Sequence, residues 1–203
     1  MLKASIISSL IEVTITHPID VYKTNIQLNK PTYLKTIYKG YLQRSLGNIP
    51  SRTIFIYSSE YMKINNINKY AIPIISGMIQ TLADTPIENL KIKAINGHAQ
   101  LSLFRGYIPH SIRNIIFIGN VIYFKEKNEY DIFSGAIGGV VGSYMSHPYD
   151  TIKTKIQSYN ENTFYKLNSR MILFELFKGA HPRAFMAFIN MTISLNCFEY
   201  FKD

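Results

Sequence analysis

One short pattern occurs three times in this chain. Proline, any residue, an acid, two further residues and a lysine run from Pro18 through Asp20 to Lys23, from Pro86 through Glu88 to Lys91, and from Pro148 through Asp150 to Lys153. The prolines stand 68 and 62 residues apart. Each copy is followed by an aromatic residue, a base and a glycine: Tyr38-Lys39-Gly40, Phe104-Arg105-Gly106 and Phe177-Lys178-Gly179. Twenty residues beyond each glycine stands an acid: Glu60, Glu126 and Glu199. Self-similarity at a long, nearly fixed period marks a chain built from related units. The landmarks define one domain over residues 1–203, made of repeats at about 1–66, 67–129 and 130–203.

Each repeat holds two apolar stretches of helical length. Residues 4–16, 70–83 and 133–146 precede the prolines, and residues 49–62, 112–124 and 184–198 follow the glycines. None is the unbroken apolar run of a simple lipid-bathed span. Ser8, Glu12, Gln80, Asp84, Asn114, Asn120, Asn190 and Ser194 interrupt them. In a membrane such residues face a bundle interior or a watery cavity. Gly135, Gly138, Gly139 and Gly142 suit close helix approach. The charged residues gather at segment ends instead of striping one face, which disfavours a soluble bundle of ordinary amphipathic helices. The expected fold is an all-α membrane protein: six transmembrane helices in three pseudo-symmetric two-helix repeats around a central cavity.

Pro18, Pro86 and Pro148 each remove a backbone donor and kink the helix that contains them. The acid and lysine that follow are three residues apart and can pair within one helix for a few tenths of a kcal/mol. A threefold arrangement offers another solution, in which each acid meets the lysine of the next repeat. Asp20 then lies by Lys91, Glu88 by Lys153 and Asp150 by Lys23. Three reciprocal pairs close one end of the cavity and partner charges that are costly inside a bundle.

This lattice resembles the mitochondrial carrier family over nearly the whole chain. The abundance of Ile, Asn, Lys and Tyr fits an AT-rich genome such as that of a giant virus. The resemblance implies alternating access between two gates in a multi-pass membrane protein, in the mitochondrial inner membrane. By that likeness Asp20, Lys23, Glu88, Lys91, Asp150 and Lys153 form the matrix gate, braced by Gln27 and Gln157, while Ile95 at the equivalent place cannot brace. The cytoplasmic gate takes Glu60 with Lys63, Glu199 with Lys202, and Glu126, which has Glu129 where a base is expected and leaves this gate the weaker. Asn25 replaces a second base in the first repeat, and the connections between paired helices are shorter than usual for the family. Gly40, Gly106 and Gly179 each begin a helix, where free backbone donors suit phosphate; the implied lipid is cardiolipin.

The family's central contact points fall on Gly47, Arg113 and Met186. Arg113 is the one charge among them, and its planar fork suits carboxylate or phosphate. Asn48 and Asn114 stand beside these points, and Arg44, His110 and Arg183 lie one turn toward the matrix end. The expected cargo is a small anionic solute. Gly47 and Met186 suggest an open site and the lining is basic, which favours a nucleotide. Arg113 followed by Asn114 matches the family's carboxylate carriers, so a carboxylate or keto acid is the alternative. A carrier-like protein without transport activity is a third reading.

Other classes are disfavoured. The chain carries a net charge of +9, yet its bases stand at repeat landmarks and helix ends, not on one stripe that would grip nucleic acid. No phosphate loop, metal-ligand spacing or nucleophile motif is present. No enzyme activity, cofactor or metal is expected, and the protein is expected to be monomeric. His17 and His147 immediately precede prolines and belong to the helix bends. Cys197 is the sole cysteine, which excludes a disulfide within the chain.

Overall fold

The computed structural model describes residues 2–68, 70–96, 102–127, 132–158 and 174–200. Among these, six long helices form: α1 (Leu2–Gln27), α2 (Tyr41–Ile64), α3 (Ala71–Asn96), α4 (Tyr107–Lys127), α5 (Ile132–Ser158) and α6 (Ala180–Tyr200), with a 3-10 turn at Leu34–Thr36. No strand occurs among the described residues. Each helix packs on the next in chain order, and α6 closes back on α1. The helices therefore make a ring. Across it, α3 and α1 both touch α5. These odd-numbered helices contain Pro18, Pro86 and Pro148.

Three glycines fix how the repeats join. Gly40, Gly106 and Gly179 immediately precede α2, α4 and α6, with φ of +80°, +79° and +82°. This left-handed backbone is cheap for glycine and strained for residues with a Cβ. A Cβ at Gly40 would lie 3.2 Å from Lys91 Cγ, one at Gly106 3.3 Å from Gln157 Cγ, and one at Gly179 3.2 Å from Lys23 Cγ. Each glycine thus seats its even-numbered helix against the odd-numbered helix of the next repeat, and the third returns to the first. Elsewhere small residues let backbones approach: a Cβ at Gly142 would stand 3.0 Å from the Phe117 carbonyl oxygen, and one at Gly138 3.1 Å from that of Asn120. These contacts draw α5 onto α4.

Two histidines tie the bends to the glycine landmarks. The Nε2–H of His17 donates to the Lys39 carbonyl at 3.1 Å, and that of His147 to the Lys178 carbonyl at 2.9 Å. Their rings lie 6.0 Å from Tyr38 and 6.2 Å from Phe177, both tilted by 31°. The first and third repeats thereby share one local lock. The second has Thr85 before its proline, and there Asn89 holds the landmark by donating to the Leu103 carbonyl at 2.7 Å.

The ring is polar inside and apolar outside. On α1, Ser8, Ser9, Glu12, Thr16 and His17 are buried, while Ile7, Leu10, Ile11 and Ile15 are exposed. On α3, Ser76, Thr81 and Thr85 are buried, while Ile75, Met78, Ile79 and Leu82 are exposed. The expectation of six transmembrane helices meets a difference here. Among the described residues, no helix is long and apolar enough to cross a membrane. The shortfall is in apolarity: helices of 21 to 27 residues at about 1.5 Å per residue reach the roughly 30 Å of a hydrocarbon core, but their inward faces carry hydroxyls, amides and charges.

Candidate functional site

The three proline-containing helices bring three acids and three lysines together inside the ring. Lys23 Nζ lies 2.7 Å from Asp150 Oδ2, Lys91 Nζ 3.0 Å from Asp20 Oδ2, and Lys153 Nζ 3.0 Å from Glu88 Oε2. Every one of these pairs joins two repeats, and together they close a circle. Pairs within a helix coexist with them: Lys91 is also 2.9 Å from Glu88, and Lys23 is 3.8 Å from Asp20. Asp20, Asp150, Lys23, Lys91 and Lys153 are buried; Glu88 is partly open. Opposite charges supply the partners that burial demands. Gln27 Nε2 donates to Asp150 Oδ2 at 3.0 Å and to Thr151 at 3.2 Å, joining the circle directly. Gln157 does not do the same; its Nε2 donates to the Arg105 carbonyl at 3.2 Å.

Above the circle the arginines are already engaged. Arg44 Nη1 lies 2.7 Å from Asp20 Oδ2, and Arg183 Nη1 lies 3.9 Å from Asp150 Oδ2. Their Nη2 atoms donate to Thr16 and Ser146, residues at matching places in the first and third repeats. The second repeat has Asp84 at that place, hydrogen-bonded to Ser51 on α2, and His110 where the others have arginine. His110 meets Thr85 at 3.2 Å and Arg113 at 3.0 Å.

Arg113 is already partnered within the protein in this structure. Its Nη1 lies 3.1 Å from Asp150 Oδ1, and its Nε and Nη2 both donate to Asn114 Oδ1, at 3.1 and 2.6 Å. Asn114 in turn donates to Thr81 at 2.9 Å. The repeat offset could not reveal this, because the counterparts of Arg113 in the other repeats are Gly47 and Met186, which carry no charge to pair. Gly47 and Met186 also differ from the open site expected. A Cβ at Gly47 would collide with the Ile87 side chain on α3, so this glycine serves the α2–α3 contact. Met186 is buried. Asn48 is half-buried.

At the other end of the ring, Lys63 Nζ lies 2.9 Å from Glu60 Oε1, a pair within α2 that is open to solvent. Glu129 and Lys202 lie outside the described residues, as do the side chains of Glu126, Glu199 and Cys197. Between α5 and α6, Lys155 donates to Glu175 at 2.6 Å, and this hydrogen bond holds the Glu175 carboxyl below its usual range.

A further charged pair was missed in the sequence. Arg52 on α2 lies 2.7 Å from Glu12 on α1. Glu12 stood out as a polar break in an apolar run, but Arg52 has no match in the other repeats, where Ile118 and Met191 occupy its offset.

The described helices thus form a ring with a proline inside each odd-numbered helix, polar within and joined by ion pairs between repeats. The sequence pattern of the family described as mitochondrial carrier protein matches residues 124–203. The chain is 26% identical to a mitochondrial 2-oxodicarboxylate carrier of Saccharomyces cerevisiae, over 75% of this chain and 72% of that one. It is 24% identical to a probable mitochondrial 2-oxodicarboxylate carrier of Schizosaccharomyces pombe, over 76% and 72%. It is 26% identical to a mitochondrial carrier-like protein of Acanthamoeba polyphaga mimivirus, over 74% and 76%. The chain is thus similar to mitochondrial carriers, and it spans about three quarters of the length of these relatives.

Proposed function

We propose that this protein is a membrane carrier that exchanges small carboxylate anions by alternating access. The observation that carries the reading is the circle of inter-repeat ion pairs at one end of a polar-lined ring. Ion pairs suit a seal that must open, since water can replace each partner, whereas interdigitated apolar packing has no such substitute. The outward apolar faces support a membrane setting, because a buried polar interior beneath exposed isoleucine and leucine inverts the usual soluble arrangement. The likeness to mitochondrial carriers favours a mitochondrial membrane, with the inner membrane as the specific proposal.

An anion is favoured by charge. Six bases (Lys23, Lys91, Lys153, Arg44, Arg113 and Arg183) stand around four acids (Asp20, Asp84, Glu88 and Asp150). Such an excess draws anions into a low-dielectric cleft. A carboxylate is favoured over a nucleotide on two grounds. Gly47 and Met186 do not supply the room that a nucleotide reading required, and two of the relatives are named for 2-oxodicarboxylates. Arg113 then trades Asp150 for the solute carboxylate. That exchange loosens Asp150 from the circle and couples occupancy to opening. The test is uptake of labelled 2-oxodicarboxylates and labelled nucleotides into proteoliposomes. Saturable 2-oxodicarboxylate uptake inhibited by unlabelled 2-oxodicarboxylate and not by ATP is the expected result; the reverse pattern restores the nucleotide reading, and uptake of neither favours a role without transport.

A further inference from the structure

Glu12, which is buried, and Arg52, which is partly buried, form a pair that the ion-pair circle does not use. Arg52 Nη1 lies 2.7 Å from Glu12 Oε1 and 3.2 Å from Ser8 Oγ, both on α1. Its Nη2 lies 3.1 Å from Ser194 Oγ on α6. Glu12 is only 4% exposed. The cluster has no threefold copies: at the matching offsets stand Ile118 and Met191 for Arg52, and Gln80 and Gly142 for Glu12. A gate that closes symmetrically repeats its parts. A solute has no threefold symmetry, so groups that read a solute need not repeat.

Height in the ring adds a second argument. Gly47 is the counterpart of Arg113 by repeat offset, and Arg52 lies five residues beyond Gly47. At about 1.5 Å per residue, Arg52 therefore stands about 7.5 Å along the axis from the level of Arg113, so the two arginines sit at different depths of the ring. The fork of Arg52 is also incompletely used for its best partner. A carboxylate can take both prongs of a guanidinium in parallel. Glu12 takes one, through Oε1, and a serine hydroxyl takes the other.

We infer that Arg52 is a second carboxylate seat, held in this structure by the protein's own Glu12, and that it makes the carrier select dicarboxylates over monocarboxylates. This rests on the carboxylate-carrier reading above. The far carboxylate of the solute displaces Glu12 and Ser194 and engages both prongs, while the near one engages Arg113. Glu12 acts as an internal competitor. It keeps the arginine paired between solutes and weakens binding of any anion too short to span both seats.

The experiment compares glutarate with its half-amide, glutaramate, which has nearly the same size and one charge fewer. Apparent affinities are measured in proteoliposomes for the unaltered protein, for Glu12→Gln, and for the double variant Glu12→Gln/Arg52→Gln, with melting curves to confirm folding. The unaltered protein should prefer glutarate. Glu12→Gln should raise that preference about tenfold, the worth of one relieved ionic competitor, and the double variant should abolish it. If the preference shifts less than about twofold in both folded variants, the pair is a structural strap between α1, α2 and α6 and the inference fails. If the unaltered protein transports no carboxylate at all, the proposed function fails and this inference with it, an outcome separable from an unchanged preference.

Discussion

Asp150 is the most heavily engaged acid of the circle, and its replacement by Asn gives a sharp prediction. Its carboxylate meets Lys23 at 2.7 Å, Gln27 at 3.0 Å, Arg113 at 3.1 Å and Arg183 at 3.9 Å. The residue is 1% exposed. Asn keeps the shape and an acceptor oxygen but removes the charge, leaving three cations in a buried cluster without this shared anion. Removing one partner of a buried pair costs about 3–5 kcal/mol. At about 1.4 kcal/mol per decade, the closed state should lose roughly two to three and a half decades of its advantage. For a chain of this size about 2–4 °C accompanies each kcal/mol, so the melting temperature in detergent should fall on the order of 10 °C. Glu60→Gln is the control, since its pair with Lys63 is exposed and worth about 0–1 kcal/mol. Thermal-shift curves of the purified variants give the readout. An Asp150→Asn protein that melts within about 2 °C of the unaltered one would refute the reasoning, because a buried acid serving three bases cannot be neutralised so cheaply.

Other predictions follow from the same geometry. Asp20→Lys or Lys91→Asp alone should impair uptake in proteoliposomes, and the two together should recover part of it, since the 3.0 Å pair is rebuilt with its ends exchanged; no recovery in a folded double variant contradicts a pairing role. Arg113→Ala should weaken apparent solute affinity roughly ten- to a hundredfold, the worth of one charge-assisted contact of about 1.5–3 kcal/mol. Arg113→Lys should restore only part of it, because the fork is lost; unchanged kinetics would move the site to Arg44 and Arg183. Added cardiolipin should raise the melting temperature in detergent more than a neutral phospholipid does, since Gly40, Gly106 and Gly179 present helix starts beside bases; an equal response removes the lipid proposal.

What the sequence made legible is whatever the threefold repeat copies. The offsets of acid and lysine from each proline suffice to expect Asp20 beside Lys91, because one local geometry recurs three times around an axis. The glycines after the aromatic-basic pairs are legible for the same reason, and all three share one left-handed backbone. Departures from symmetry were not legible. Arg113 turns to Asp150, and Gln157 turns to a backbone carbonyl while Gln27 reaches the circle. These choices depend on which neighbour fills the adjacent place: Asp84 stands where the other repeats have Thr16 and Ser146, and His110 where they have arginine. Gly47 suggested open space, yet a missing side chain served equally to admit Ile87 from the next helix. Arg52 carried no signal at all, since a lone arginine near a proline in a helix has no repeat to mark it.

The central claim is that the circle of ion pairs seals one face of an exchanging carrier, and counter-exchange tests it most directly. Proteoliposomes containing the protein are preloaded with unlabelled 2-oxodicarboxylate or left without it, and entry of labelled 2-oxodicarboxylate is followed. An exchanging carrier reopens more readily when occupied, so preloading should accelerate entry several-fold, and the Asp150→Asn variant should lose most of that acceleration. Entry that is indifferent to preloading would contradict exchange by alternating access, and entry no faster than into protein-free liposomes would contradict transport itself.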